Sequence, residues 1–317
     1  MNGNLNKDNG QISDENKSGT CPFCQKAGEK LLFELSGNIQ EYEDTSFEYT
    51  RCKSCRTIFI KNPPHDDEVY ELNSTHSGKK ILKAYSQKKD ANIRTAIIEK
   101  NLEQGQLLQI ECGDAQDLLV LKEHGFHVIG INYSEQNVEA AREKVNEVYA
   151  FKFLDFFHYD NEFDGILFIN SLNYSSNPAD EIEKAINLIK EKGIIVIEEE
   201  IFLSSMDKFF GKYYNGYDAP FSKYYFNPLI LKKIMRNHGF KLKETKKTYI
   251  KYFTNFVKSC SNFLKRKWNI KNAFLRALIL SPVFVLSPLI NIYFYISNYS
   301  KYGVFGDTFL AVFTRSK

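Results

Sequence analysis

The chain has 317 residues, 43% of them hydrophobic, and a net charge of +3. That length suits one large folded domain with a smaller unit beside it, and the composition excludes a wholly disordered chain. The small net charge does not by itself mark a nucleic-acid binder. The N-terminus shows no apolar core of a secretory signal, so six cysteines read as metal ligands or free thiols rather than a disulfide frame. The expected compartment is a reducing cytoplasm.

In chain order, residues 1–20 are polar and predict a disordered tail. Residues 21–65 form a compact unit framed by Cys21-x2-Cys24 and Cys52-x2-Cys55, with 27 residues between the pairs. Each pair makes a knuckle that aims two thiolates at one point, and two knuckles complete a tetrahedral zinc site. Four thiolates leave no open coordination position, so the expected role of zinc is structural. Cys112 and Cys260 remain as small hydrophobes. Residues 66–104 read as a helical linker, with Ile81, Leu82, Tyr85, Ile93, Ile97 and Ile98 in helical spacing.

From residue 105 to 317 the pattern alternates. Strands are expected at 106–111, 127–132, 148–154, 163–169 and 193–199, and helices at 114–125, 134–147 and 179–191. Gly125 and Gly193 fall just past two of these helix ends, where a left-handed residue is wanted. A helix at 228–238 feeds a strand near 240–253, and the last strand is 307–315. Short apolar strands alternating with helices predict a Rossmann-like α/β domain with a largely parallel sheet and helices on both faces.

The stretches "CPFC…YTRCKSCRTIFIKNPP", "LLQIECGDAQDLLVLKEHGFHVIGINYSEQNVEAAREK", "EFDGILFINSLNYSSNP", "DAPFSKYYFNPLILKKIMRNHGF" and "GDTFLAVFTR" follow one another in this order. Together they resemble class I S-adenosylmethionine-dependent methyltransferases that carry an N-terminal zinc-binding domain, over nearly the whole chain. The resemblance implies S-adenosyl-L-methionine as cofactor, structural zinc on Cys21, Cys24, Cys52 and Cys55, and methyl transfer to a small-molecule acceptor such as a sugar or a lipid-linked glycan precursor.

The family's hhDhGxGxG loop falls on Leu107 to Ala115. Gln109 stands for the acid, Glu111 for the first glycine and Ala115 for the third small residue, while Gly113 is kept. By strand alternation, Glu111 is expected to offer the carboxylate that Gln109 does not, toward the cofactor's ammonium. Asn132 takes the place of the ribose-binding acid. Exchanging a charge-assisted for a neutral hydrogen bond weakens binding by about tenfold. Asp155 matches the acid that faces the adenine.

On the acceptor side, Asn173 and Tyr174 stand where the family shows Glu-His, and Phe221 and Ser222 where it shows Arg-His. No histidine fills the general-base positions. His158, beyond Asp155, and Tyr217, in an aromatic lid-like segment, are the catalytic candidates. Glu198, Glu199 and Glu200 end the fifth strand, either as a solvated rim or reaching the cleft. Gln109, Glu111, Asn132, Asn173, Tyr174 and Ser222 also fit a second reading, in which the chain is an inactive member of the family acting as a binding or membrane-surface scaffold.

Between the last two strands, about 255–304, lies a basic and apolar insertion. Ala277–Tyr299 holds no charge, while Lys258, Lys265, Arg266, Lys267, Lys271 and Arg276 surround Trp268. Pro282 and Pro288 are expected to break any single membrane crossing. One reading is a helical hairpin on an anionic membrane surface through 258–299, peripheral to the inner face. The other is a cap or dimer contact. Cys21–Pro64 is not notably basic, so no nucleic-acid partner is expected.

Overall fold

The computed structural model describes residues 19–37, 42, 45–64, 81–157, 162–201, 205–246, 252–286, 289–290, 292–293, 296 and 308–316. All but the last two residues of the 1–20 tail, and the linker stretch 66–80, lie outside them, as do His158 and Pro288.

Three strands open the described chain: β1 (Gly28–Ser36), β2 (Ser46–Cys52) and β3 (Ile58–Ile60). A long helix, α1 (Ile81–Glu99), leads into β4 (Gln106–Ile110), α2 (Gln116–Glu123), β5 (His127–Asn132), α3 (Glu135–Arg142) and β6 (Val148–Ala150). Then come β7 (Phe163–Ile169), α4 (Pro178–Leu188), β8 (Ile189–Glu200), α5 (Ser205–Phe210), β9 (Tyr224–Tyr225), α6 (Pro228–Asn237) and β10 (Phe240–Lys246). Two helices, α7 (Tyr252–Lys267) and α8 (Ala273–Val285), precede β11 (Thr308–Arg315).

Local chemistry sets several of these boundaries. The Ser134 hydroxyl accepts from the Asn137 N–H and starts α3. The Asn227 carbonyl accepts from the N–H groups of Leu229 and Ile230, both at 3.0 Å, and Pro228 takes the first turn of α6, where no N–H is needed. The central strands β4 and β7 are apolar on both faces, as a two-sided sheet requires.

Seven strands form the main sheet in the order β10-β11-β8-β7-β4-β5-β6. Neighbours pair in parallel except β11, which is antiparallel to both β8 and β10. One face buries Leu107, Val196 and Val312 with Ile98, Leu118 and Val138 of the helices. The other buries Leu108, Ile166 and Ile197 with Ile182 and Leu231. The chain runs outward from β4 through β5 to β6, then returns to β7 on the other side of β4. The carboxyl ends of β4 and β7 therefore flank the topological switch point, where open α/β sheets bind ligands.

The second sheet, β1-β2-β3-β9, is antiparallel and borrows its last strand from the α/β domain, with Phe59 opposite Tyr224 and Ile58 opposite Tyr225. Cys21, Cys52, Cys55 and Phe59 share one buried cluster with Phe226, Ile230 and Leu231.

The structure corrects three local expectations. The 179–191 helix stops at Leu188 and β8 begins at once, so Gly193 lies inside a strand. It is small for a different reason: a Cβ there would come within 2.7 Å of Ile189 Cγ1 and 2.9 Å of the Asp164 carbonyl. Gly125 does take the left-handed turn, at φ 89°. The expected 148–154 strand ends at Ala150 and gives way to a 3-10 turn at Phe153–Asp155. Pro282 does not break its helix, which runs on to Val285.

Candidate cofactor and acceptor site

The loop after β4 has an unusual backbone. Glu111, Gly113 and Ala115 have φ of 53°, 57° and 55°. That is the left-handed region, natural for glycine and strained for other residues by about 1–2 kcal/mol each. The loop thus keeps a glycine-rich geometry with only one glycine in it. The Cys112 N–H donates to the Ile131 carbonyl at 3.0 Å, and Lys144 holds Asp114 at both its carbonyl (2.8 Å) and its carboxylate (2.9 Å). A Cβ on Gly113 would meet nothing within 4 Å, so this residue faces open space.

The strand ends at Ile110, and its alternation stops there. Glu111 is turned sideways to β5, where its carboxylate accepts the Tyr133 N–H at 3.2 Å. The carboxyl expected to replace that of Gln109 therefore stands at the other flank of the loop. Burial pushes it up to about 8, with a like-charge push from Glu181, while the Tyr133 N–H pulls it down. Asn132 is buried beside it, its side-chain oxygen accepting from the N–H of Ser134 at 2.9 Å and from the Asn137 amide at 3.4 Å. Asp155 is exposed on the 3-10 turn beyond β6.

At the switch point three buried polar atoms have no protein partner: Ser171 Oγ, Asn173 Oδ1 and Glu199 Oε2. They belong to the end of β8 and to the loop after β7; Gln109 Oε1 also has no partner, but it lies on the opposite face of the sheet, two residues beyond Leu107. Buried polar atoms without partners cost about 1–3 kcal/mol each, and their convergence marks a place for a polar ligand. Glu199 Oε1 accepts the N–H groups of Leu172 (3.0 Å) and Asn173 (3.2 Å), and burial pushes this carboxyl well above its ordinary range. The Asn173 amide donates to Ser222 Oγ at 3.4 Å, and Tyr174 OH to Asp218 at 3.4 Å. The substituted acceptor-side residues are thus brought together in one hydrogen-bonded group.

A buried ion-pair cluster forms here that no sequence motif marks. Arg94 of α1 donates twice to Glu198, at 2.9 and 2.6 Å, and once to Asp117, at 2.9 Å. Burial pulls its guanidinium down, but the two carboxylates outweigh that and hold it above its ordinary value. Glu198 and Glu199 are 2% and 1% exposed, so neither is a solvated rim. The available signal was Arg94 sharing a helix face with Ala91 and Ile98, at i+3 and i+7.

The four cysteines meet as their spacing predicts. Their sulfurs all lie within 4.8 Å of one another, with Cys21–Cys55 at 3.4 Å and Cys24–Cys52 at 3.2 Å. The two knuckles match: Gln25 and Arg56 are left-handed, at φ 53° and 71°, and donate N–H groups to the carbonyls of Cys21 and Cys52. This cluster fits a tetrahedral zinc ion on four thiolates.

Tyr217 stacks on Phe33 of β1, with ring centroids 5.0 Å apart, and meets Tyr214 and Tyr225 edge-on. It packs the lid segment, residues 205–226, onto the ribbon. His158 lies outside the described residues.

Strand order, left-handed loop and switch-point crevice together define a class I methyltransferase architecture. A family profile described as a methyltransferase domain matches residues 82–245, and the chain belongs to this family. The Bacillus subtilis protein YqeM, which bears a methyltransferase name, is 32% identical over 114 residues, or 33% of this chain and 46% of that protein. The match thus spans about half the length of that relative.

Among solved structures, a methyltransferase from Archaeoglobus fulgidus described as SAM-dependent is 17% identical, with a TM-score of 0.48, covering 78% of this chain and 99% of that one. The 1,6-didemethyltoxoflavin-N1-methyltransferase of Burkholderia thailandensis, seen with its substrate and S-adenosylhomocysteine, is 14% identical at a TM-score of 0.45, covering 66% and 91%.

Proposed function

We propose that the chain transfers a methyl group from S-adenosylmethionine to a small-molecule acceptor. The observation that carries this reading is the convergence of Ser171 Oγ, Asn173 Oδ1 and Glu199 Oε2 on the switch point, beside a loop that keeps three left-handed residues. The cofactor would lie over Gly113, between Asn132 and the loop after β7, with Asp155 toward its base. When bound, it supplies an electrophilic methyl group, so that positioning carries much of the barrier. Asn173, Ser222 and the Tyr174–Asp218 pair would hold the acceptor. Their polarity suits a sugar or the sugar of a lipid-linked glycan precursor, met at the inner face of a membrane.

A second reading has its own observation. The Glu111 carboxylate already holds the Tyr133 N–H beside the ribose-binding position, as it would in a non-catalytic scaffold on the same frame. Methyl-labelled S-adenosylmethionine, offered with sugar nucleotides and with lipid-linked glycans, separates the two. Label in a product with the native chain and none with Gly113→Val supports transfer. Cofactor binding without label in either acceptor class supports the scaffold.

A further inference from the structure

The segment between β10 and β11 is unlike the rest of the surface. From Thr245 to Gly306 there is no Asp or Glu, and every charged side chain is Lys or Arg. Most of the exposed large apolar side chains of the described residues fall there, among them Trp268 at 60%, Phe274 at 78% and Leu278 at 60% exposure. On α8 Leu280 is buried while Phe274, Leu275, Leu278 and Ile279 are exposed. Soluble proteins rarely leave so contiguous an apolar face uncovered.

The cations flank this face. Lys258, Lys265, Arg266, Lys267 and Lys271 are exposed along α7 and the turn to α8. Arg276 is turned inward instead, to Ser261 Oγ and to the carbonyls of Ile270 and Lys271, and so braces the hairpin. An apolar face flanked by cations, with a tryptophan at the border, complements an anionic lipid surface. A second copy of this chain fits less well, because an isologous contact would bring two acid-free basic segments together. No helix among the described residues is long and apolar enough to cross a membrane, which leaves a hairpin lying on the surface.

The other side of α7 holds the lid. Phe256 meets Phe210 edge-on at 5.2 Å, and Phe263 meets Tyr213 at 5.2 Å. The buried Ser259 hydroxyl accepts the Asn215 N–H at 2.9 Å. Through Asp218 and Tyr174 the lid reaches the loop after β7. We propose that α7 and α8 form a docking surface for an anionic bilayer, and that the bilayer acts on the acceptor side of the cleft through the lid seated on α7. The docking stands alone; the effect on the cleft rests on the proposed methyl transfer.

Trp268 is the only tryptophan in the chain, so its emission reads the hairpin directly. With phosphatidylglycerol vesicles at low salt, the full chain is expected to float and Trp268 to shift to the blue. With phosphatidylcholine vesicles or at high salt it should do neither. Lys265→Glu, Arg266→Glu and Lys267→Glu combined should weaken flotation at least tenfold at unchanged circular dichroism, and Phe274→Ser with Leu278→Ser should weaken it too. Unchanged emission with all protein at the bottom of the low-salt gradient overturns the docking. So does a lipid-free dimer that already shows the blue shift. For the lid, amide exchange over residues 205–226 should slow on phosphatidylglycerol vesicles, and vesicle-bound protein with unchanged lid exchange refutes the coupling. None of these readouts depends on cofactor binding, so failure of the methyl-transfer reading would leave them interpretable.

Discussion

The cysteine knuckles and the loop after β4 use the same backbone device with different side chains on it. Both turn through left-handed residues, Gln25 and Arg56 in the knuckles and Glu111, Gly113 and Ala115 in the loop. In the knuckles the functional atoms are the four sulfurs, and all are in place. In the loop the surface proposed to meet the cofactor is the backbone itself, which needs the absence of side chains. There a carboxylate has been added. A site made of side chains is lost when they change, whereas a site made of backbone keeps its shape and can be filled. The ribbon is therefore expected to be indispensable to the fold, and the loop to keep a backbone shaped for the cofactor that Glu111 narrows.

The largest effect should come from the ribbon. Chelation, or Cys52→Ser, should abolish zinc binding and disorder the lid, because the ribbon shares its cores with Phe226, Ile230 and Tyr217. Zinc contributes about 10–16 kcal/mol to folding in isolated zinc peptides. Metal analysis and near-ultraviolet circular dichroism check this, and an intact lid without metal would overturn it. Next is Arg94→Met, which strands the buried Glu198 carboxylate and the partly buried Asp117 beside it and should cost about 3–5 kcal/mol in urea unfolding.

Glu111→Gly should be smaller in stability but visible in binding. It removes a left-handed side chain, a gain of about 1–2 kcal/mol, against about 0.5–1 kcal/mol of glycine flexibility. It should also clear the flank of the loop, raising affinity for S-adenosylhomocysteine about tenfold or more in a thermal-shift series. Unchanged affinity would mean that Glu111 leaves room for the cofactor.

The smallest difference concerns pH. The Glu111 carboxyl is raised to about 8 in the fold from an ordinary 4.5, so the native state holds the proton more tightly. Its contribution is complete below about 4.5 and is lost as pH rises through 8. Glu181, raised to about 7 by burial, acts in the same direction and remains in the variant. The native chain should therefore lose more stability than Glu111→Gly between pH 5 and 9, as measured by midpoints across that range.

Much of this was legible in the sequence. The paired CxxC motifs point to the four-cysteine cluster because two knuckles have few ways to meet. Alternating apolar strands and helices gave the sheet because burial on both faces leaves a strong pattern. What could not be read depends on direction. Strand alternation placed Glu111 over Gln109, but a left-handed residue breaks alternation and sent its carboxylate to Tyr133. For Glu198 and Glu199 the sequence leaves a solvated rim and a place in the cleft equally open, because three acids in a row fit either. Their burial depends on Arg94, 104 residues away, and on the N–H groups of Leu172 and Asn173. Gly193 looked like a helix cap because a helix and a strand meet there without a loop.

On this reading the loop after β4 still takes the cofactor. It is tested most directly by calorimetric titration of zinc-replete protein with S-adenosylmethionine and S-adenosylhomocysteine. The account predicts micromolar binding that is lost in Gly113→Val, whose side chain would enter the open space at φ 57°, and weakened in Asp155→Ala. Heat-silent titrations up to millimolar cofactor, with the protein folded and metal-loaded, would contradict it.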